Sequence, residues 1–311
     1  MSGVVSGFTV IFLLVGAGFV LGRTGVLGEQ AGTVLARLVF FICTPALMIH
    51  ALATNDLSVV FSSTLAIAAA AAFSIGIVYA LIARFVLGRA IPETVIGALS
   101  SSYVNSVNLG LPIAIFVLDD ASFIAPLLLF QIMIYSPIAL AILDVTALNR
   151  TERGSVWRTV AVPLRNPIVI GGLLGLAVSL SGWTMPKALL SPLDMLGQAS
   201  VPLALLTFGL SLTGTAVFKR GESPRRDVVL ASALKGFAMP AVAYVIARWG
   251  FGHTGHALFA QVVIAALPTA QNVLVYATRY RRGEILARDT ALVTTVLSIP
   301  VIAAIAWLIG P

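Results

Sequence analysis

The chain has 311 residues, 59% of them hydrophobic and 10% charged, with a mean hydropathy of +1.03 and a net charge of +7. Soluble domains carry about 25% charged residues, so the composition excludes a soluble globular enzyme. The positive balance matches the basic cytoplasmic loops of a membrane protein and calls for no nucleic acid.

At about 20 residues per crossing plus short loops, the chain holds roughly ten helices. Ten apolar segments can be marked, at 4–22, 31–53, 59–83, 93–118, 122–146, 164–181, 195–217, 228–249, 257–279 and 288–309. Met1-Ser2-Gly3-Val4 lacks a basic n-region and no Ala-x-Ala-like site follows the first apolar run, which predicts no cleavable signal peptide. Gly16-Ala17-Gly18 in the first segment and Gly171-Gly172 in the sixth are expected to let helices pack closely. Cys43 is the sole cysteine and lies in an apolar segment, so neither a disulfide framework nor a thiolate metal site is expected.

The loops alternate in charge. Those after odd-numbered segments hold fifteen Lys and Arg, from Arg23 to Arg288, whereas those after even-numbered segments hold only Lys187 and Arg248. The odd loops are therefore assigned to the cytoplasm and both termini to the outside of the cell's inner (plasma) membrane. The alternation also supports a count of ten.

Prolines recur at matched places. Pro45 and Pro202 are 157 residues apart, Pro112 and Pro268 are 156 apart, and Pro137 and Pro300 are 163 apart. They are read as helix breakers in segments 2 and 7, 4 and 9, and 5 and 10. The fold expected is an all-α integral membrane protein of ten transmembrane helices. Its two inverted five-helix repeats span 1–148 and 164–311, with a cytoplasmic linker at 149–163.

Segment 4 carries Asn105-Ser106-Val107-Asn108-Leu109-Gly110-Leu111-Pro112 in the middle of an apolar run, and segment 9 carries Leu267-Pro268-Thr269-Ala270-Gln271-Asn272. Unwound chain survives at membrane depth only when it is buried in protein or lines a cavity. With the second halves starting near Pro112 and Pro268, two helix N-termini face the centre, each with unpaired N–H groups and partial positive charge. Such a pair forms an anion site without Lys or Arg, and no basic residue lies near either break in the sequence. The expected substrate-binding residues are Asn105, Asn108, Gly110, Pro112, Pro268, Thr269, Gln271 and Asn272. Asn105 and Asn108 equally suit capping of the unwound backbone. Gly110 and Pro112 suit a geometric role. Gln271 and Asn272 also suit helix–helix hydrogen bonds, as do Tyr103, Gln131 and Tyr135. Lys235 and Arg37 read as side chains snorkelling to the cytoplasmic face. No catalytic, metal or cofactor motif stands out, so the chain is not expected to be an enzyme.

The runs Leu38-Val39-Phe40 to Thr44-Pro45-Ala46-Leu47, Asn108-Leu109-Gly110-Leu111-Pro112, Pro202-Leu203-Ala204-Leu205 with Gly209, and Leu267-Pro268 resemble the auxin efflux carrier family in order and spacing. That resemblance implies a fold similar to bile-acid sodium symporters and sodium/proton antiporters, with crossing broken helices 4 and 9. It implies a scaffold domain from helices 1, 2, 6 and 7, and a transport domain from helices 3–5 and 8–10 working as an elevator. It also implies auxin-like aromatic or dicarboxylic acids as substrates, and family members often form homodimers. The alternatives are a sodium-coupled symporter of the bile-acid type and a membrane ligand sensor that moves nothing. A small organic anion and the lipid bilayer are the expected partners.

Overall fold

The computed structural model describes residues 2–28, 30–54, 63–118, 123–147, 167–211, 213 and 223–310. The expected linker 149–163 lies outside the described residues. Among these residues there is no strand, and all the regular structure is helical.

Helix α1 is Ser2–Thr24, α2 is Ala31–Thr54 and α3 is Ser63–Val86. Helices α4, Ile91–Ser102, and α5, Leu111–Phe116, fall in the fourth predicted segment. Helix α6 covers 124–147 in three abutting pieces. Then come α7, Pro167–Ser181, α8, Lys187–Ser211, and α9, Arg225–Gly250. Helices α10, Gly255–Ala266, and α11, Gln271–Tyr280, fall in the ninth segment, and α12, Glu284–Ile309, closes the chain. Five of them, α2, α3, α8, α9 and α12, are long and apolar enough to cross a membrane. At 1.5 Å per residue, the 24 residues of α3 reach about 36 Å, more than the roughly 30 Å hydrocarbon core. Alanine, the strongest helix former, fills Ala68–Ala72 inside it. Helix α8 starts at Lys187, eight residues before the apolar run, and the carbonyl of Pro186 accepts from both Leu189 and Leu190 in its first turn.

The prolines behave differently from the sequence expectation. Pro45, Pro137, Pro202 and Pro300 sit inside continuous helices and break none of them. At Pro45 and Pro137 the physical reason is visible in the turn before the proline, a device repeated before Pro112 and Pro240, whereas Pro202 and Pro300 lie in uninterrupted α-helix. Wide π turns at Val39–Cys43, Ser106–Gly110, Gln131–Tyr135 and Leu234–Ala238 end two residues before Pro45, Pro112, Pro137 and Pro240. Proline has no N–H and crowds the carbonyl four residues back. A turn bonded over five residues bypasses that missing donor and keeps the helix running.

The actual breaks lie elsewhere. Tyr103–Asn105 is extended, so the fourth segment parts upstream of Pro112, and helical structure resumes at Ser106. The ninth segment parts over 267–270 and resumes at Gln271. The two breaks pair with each other. Val104 and Thr269 form an antiparallel bridge, Asn105 N–H donates to Pro268 O at 2.8 Å, and Ala270 N–H donates to Tyr103 O at 3.0 Å. The bridge partners are 165 residues apart (269 − 104). The same step carries Tyr103 to Pro268 and Asn105 to Ala270, so each hydrogen bond is the two-fold image of the other. Pro268 is thus bonded at the crossing to Asn105, seven residues before Pro112.

Helix α1 packs along α8, and α2 packs against both α7 and α8. Glycines permit the close approach: a Cβ on Gly18 would fall 2.2 Å from Leu206 O, one on Gly209 2.1 Å from Val15 O, and one on Gly171 2.7 Å from Pro45 O. Separately, α3 packs on α4, α4 on α6 and α9, and α9 and α10 on α12. Helix α5 and the π turn before it touch α1 and α8. The buried core is centred on the paired breaks and includes Val104, Leu111, Ile264 and Leu267.

Candidate functional site

The paired breaks form one end of a cavity of about 1360 Å³. Small-molecule pockets usually measure roughly 300–1,000 Å³, so this is a vestibule rather than a closed pocket. Its inner wall is Tyr103–Ser106 and Ala270–Asn272, with Val275 and Tyr276 beside them. The facing wall comes from α2 and α8, including Thr33, Arg37, Phe40 and Thr207, and the lining extends to Gly22 at the end of α1 and to Gly25 and Gly28 of the α1–α2 turn.

Of the eight expected site residues, Asn105, Gln271 and Asn272 line this cavity. Asn105 is buried, whereas Gln271 and Asn272 are partly exposed at the first turn of α11. The Asn108 side chain lies outside the described residues. Gly110, Pro112, Pro268 and Thr269 are buried behind the wall. Gly110 is placed by close packing: a Cβ there would fall 2.9 Å from Leu267 Cδ1 and 3.2 Å from Asn105 O. Its φ of −62° is ordinary helix, so the residue serves space and not a left-handed turn. Thr269 is tied inward, its hydroxyl donating to Ser100 O at 2.5 Å and its N–H accepted by Thr294 Oγ1 at 3.1 Å. Pro268 offers its carbonyl to Asn105.

The first break is held from behind by α6. Gln131 Nε2 donates to Val104 O at 2.9 Å, and Ser106 Oγ donates to Gln131 Oε1. Ser136 Oγ bonds Tyr103 Oη at 3.0 Å and Tyr276 Oη at 3.1 Å, and Tyr135 Oη bonds Ser102 Oγ at 2.5 Å. Tyr103 stacks on Tyr135 with ring centroids 5.9 Å apart and meets Tyr276 edge-on at 6.5 Å. Gln131 and Tyr135 are thus interhelical ties, while Tyr103 is both a tie and a lining residue. Sequence reasoning missed Tyr276. Its signal was available, because Gln271, Asn272, Val275 and Tyr276 follow the i, i+1, i+4, i+5 rule of one helix face.

Two basic residues differ from their expected placement. Arg37 lines the vestibule. Lys235 does not snorkel: it is 1% exposed, and its Nζ donates to Ala265 O at 2.7 Å and lies 3.3 Å from Met239 Sδ. A basic group therefore does stand beside the second break. At the helix ends away from the breaks, Arg89 grips Asp227 with two bonds of 2.9 and 2.6 Å, and Arg282 pairs with Glu93 at 3.2 Å. Those bonds from Asp227 hold the Arg89 guanidinium protonated beyond its ordinary range. Asp289, fully buried, accepts from Arg288 and from Ser223 Oγ. No group of three His, Cys, Asp or Glu suited to a metal occurs among the described residues.

A helical chain with long apolar spans and a large vestibule ending on two paired helix breaks has the form of a membrane transporter. The chain belongs to the membrane transport protein family, the auxin efflux carrier-like group, whose model matches residues 4–306. It is similar to a protein of Rhizobium meliloti titled "Putative malonate transporter", 28% identical over 144 residues, which cover 46% of this chain and 44% of that protein. It is also similar to an uncharacterized transporter of Methanocaldococcus jannaschii, 28% identical over 146 residues, 46% of each. Each match spans less than half the length of the curated relative.

Proposed function

We propose that this membrane transporter is a secondary carrier of small organic anions that works by an elevator-type exchange of access. The observation that carries the proposal is the vestibule ending on two helix starts, Ser106 and Gln271, with the amides of Asn105, Gln271 and Asn272 around them. The first turn of a helix and the positive end of its dipole favour a carboxylate. Neutral amides add directed hydrogen bonds that break without a large penalty, which suits a ligand that must also leave. Tyr103 and Tyr276 offer an apolar ring with a polar tip to the remainder of the ligand.

The packing supports the division of labour. Helices α1, α2, α7 and α8 form one group and would be the scaffold. Helices α3–α6 and α9–α12 form the other and would carry the paired breaks as the moving body. In this reading the chain is two inverted five-helix repeats crossing the membrane ten times. The vestibule lining at Gly25 and Gly28 then belongs to a cytoplasmic loop, and the conformation is inward-open. The relative's title makes dicarboxylates the first class to test.

Proteoliposomes holding the purified protein should take up labelled malonate, or another small carboxylate from the same panel. Asn105→Ala and Gln271→Ala should each lower uptake at least tenfold, because each removes a directed bond to a charged ligand, about 1.5–3 kcal/mol. Uptake that survives both substitutions unchanged would place the site elsewhere. The same assay with and without sodium separates a sodium symporter from a carrier, and saturable binding without flux identifies a sensor.

A further inference from the structure

Among the described residues that line the vestibule, Arg37 is the sole charged side chain. Its place follows from the helix that carries it. Thr33, Ala36, Arg37 and Phe40 all line the cavity and recur at i, i+3, i+4 and i+7, so they form the face that α2 turns to it. Arg37 stands in the middle of that face and is exposed. The helix starts at Ser106 and Gln271 stand on the facing wall.

The guanidinium of Arg37 is also uncommitted. Arg89, Arg282 and Arg288 each hold a carboxylate, whereas among the described residues Arg37 makes neither a hydrogen bond nor an ion pair. Helix α2 contains no acid, and neither do α1, α7, α11 or the π turn at Ser106–Gly110. Asp194 on α8 lies ten residues (204 − 194) before the lining residue Ala204, about 15 Å along the helix, and bonds Gln198. Asp144 on α6 lies sixteen residues (144 − 128) beyond the lining residue Leu128, about 24 Å. Glu93, ten residues (103 − 93) before Tyr103, is paired with Arg282. Glu29 precedes α2 and lies outside the described residues. An arginine keeps its charge at any working pH, and its fork of N–H donors fits a carboxylate with two bonds. The lining between Arg37 and the helix starts is uncharged and includes Phe40, Tyr103 and Tyr276. The order across the cavity is therefore anion receptor, apolar rings, anion receptor.

We propose that Arg37 is the specificity residue of the vestibule: it takes the second carboxylate of a dicarboxylate whose first carboxylate sits at the paired helix starts. The inference rests on the anion reading above and narrows it to ligands with an acid at each end. Arg37 belongs to the helix group of α1, α2, α7 and α8, and the breaks belong to the other group. One ligand would thus be held by both groups at once. The cavity of about 1360 Å³ exceeds any small diacid, so the preference should vary with chain length.

The test uses the purified full chain and measures Kd for malonate, succinate and glutarate, each against the monoacid of equal length: propionate, butyrate and valerate. Wild type, Arg37→Gln, Asn105→Ala and Glu29→Gln are compared, with the ligand-free thermal midpoint of each. In wild type at least one diacid should bind about tenfold more tightly than its monoacid. Arg37→Gln should weaken that diacid by about tenfold and its monoacid much less, so that the preference disappears. Asn105→Ala, on the other wall, should weaken both members of the pair and keep their ratio. Glu29→Gln should leave the preference as it is; a larger preference there shows that Arg37 is already paired and overturns the proposal. The Arg37→Gln midpoint should stay within about 1 °C of wild type, because an exposed side chain without a partner is removed. A larger drop makes Arg37 structural and overturns the proposal. So does a preference that survives Arg37→Gln, or a loss shared equally by diacid and monoacid, which would make Arg37 a general attractor of anions. A wild type that binds monoacids and diacids alike overturns this inference and leaves the anion reading standing. A wild type that binds none of the six overturns both.

Discussion

Replacing Thr269 by valine tests how firmly the two breaks are joined. Thr269 is 1% exposed and Ser100 is fully buried, and the hydroxyl spans them at 2.5 Å. Valine matches threonine in shape, so the packing against Ser100 and Thr294 changes little. What changes is that a buried helix-end carbonyl loses its donor, a loss of about 1–3 kcal/mol. An unfolding entropy of about 2.1 cal/mol/K per residue over 311 residues gives ~0.65 kcal/mol/K, so a loss of about 2 kcal/mol lowers the midpoint by about 3 °C. Scanning fluorimetry of the detergent-purified protein reads this directly. Thr269→Ser keeps the hydroxyl and should stay within about 1 °C of wild type. If Thr269→Val also stays there, the hydroxyl does not hold the crossing. If valine and serine fall together, lost packing and not the lost bond is responsible.

Other substitutions probe separate parts of the molecule. Gly209→Val puts a branched side chain where even a Cβ lies 2.1 Å from Val15 O, so α1 and α8 must separate, costing about 1–3 kcal/mol or more; a reduced midpoint and poor yield are expected, and normal values would refute the packing described. Arg89→Ala leaves the Asp227 carboxylate, with only 3% of its side chain exposed, without its bidentate partner. Arg89 is itself 41% exposed, so the loss is discounted to about 1–2 kcal/mol, read as a lower midpoint. The folded state raises the Arg89 pKa, so this contribution is fully present below the unfolded arginine value and is lost only as pH climbs past it. Between about pH 6 and 9 the Arg89→Ala deficit should therefore be constant, and a deficit that varies there would point to a different partner. Tyr276→Phe removes the hydroxyl that bonds Ser136 at the vestibule wall; a malonate Kd weaker by about three- to tenfold with a midpoint within about 2 °C of wild type is expected, and a larger midpoint drop without a change in Kd would make Tyr276 structural.

The membrane class and the two interrupted segments were legible in composition, loop charge and the polar, Gly- and Pro-bearing runs. The position of the first break was not. Nothing about Tyr103 marks it as the end of a helix; its extended backbone is stabilised by Ala270, 167 residues later (270 − 103). That is a tertiary contact that no local propensity encodes. Proline misled for the opposite reason. Its local signal is strong, yet a wide turn two residues earlier absorbs it at Pro45 and Pro137. Lys235 was misread because its distance from a helix end suggested a route to water, whereas the neighbouring α10 presents it with a carbonyl. Asn105, Gln271 and Asn272, which line the cavity, stood out because polar amides in an apolar run need a purpose, and Tyr276 beside them was overlooked because an aromatic residue does not.

The exchange of backbone bonds between the breaks also bears on the order in which the chain can be assembled. Tyr103 O and Asn105 N–H find their partners in Ala270 and Pro268, which a ribosome delivers more than 160 residues later. Until then these groups, and the Ser100 carbonyl that waits for Thr269, have no lasting place in hydrocarbon, where each unsatisfied group costs several kcal/mol. The extended break in the fourth segment is therefore completed only by chain that is made much later, and the first half alone does not contain the partners of its own native fold.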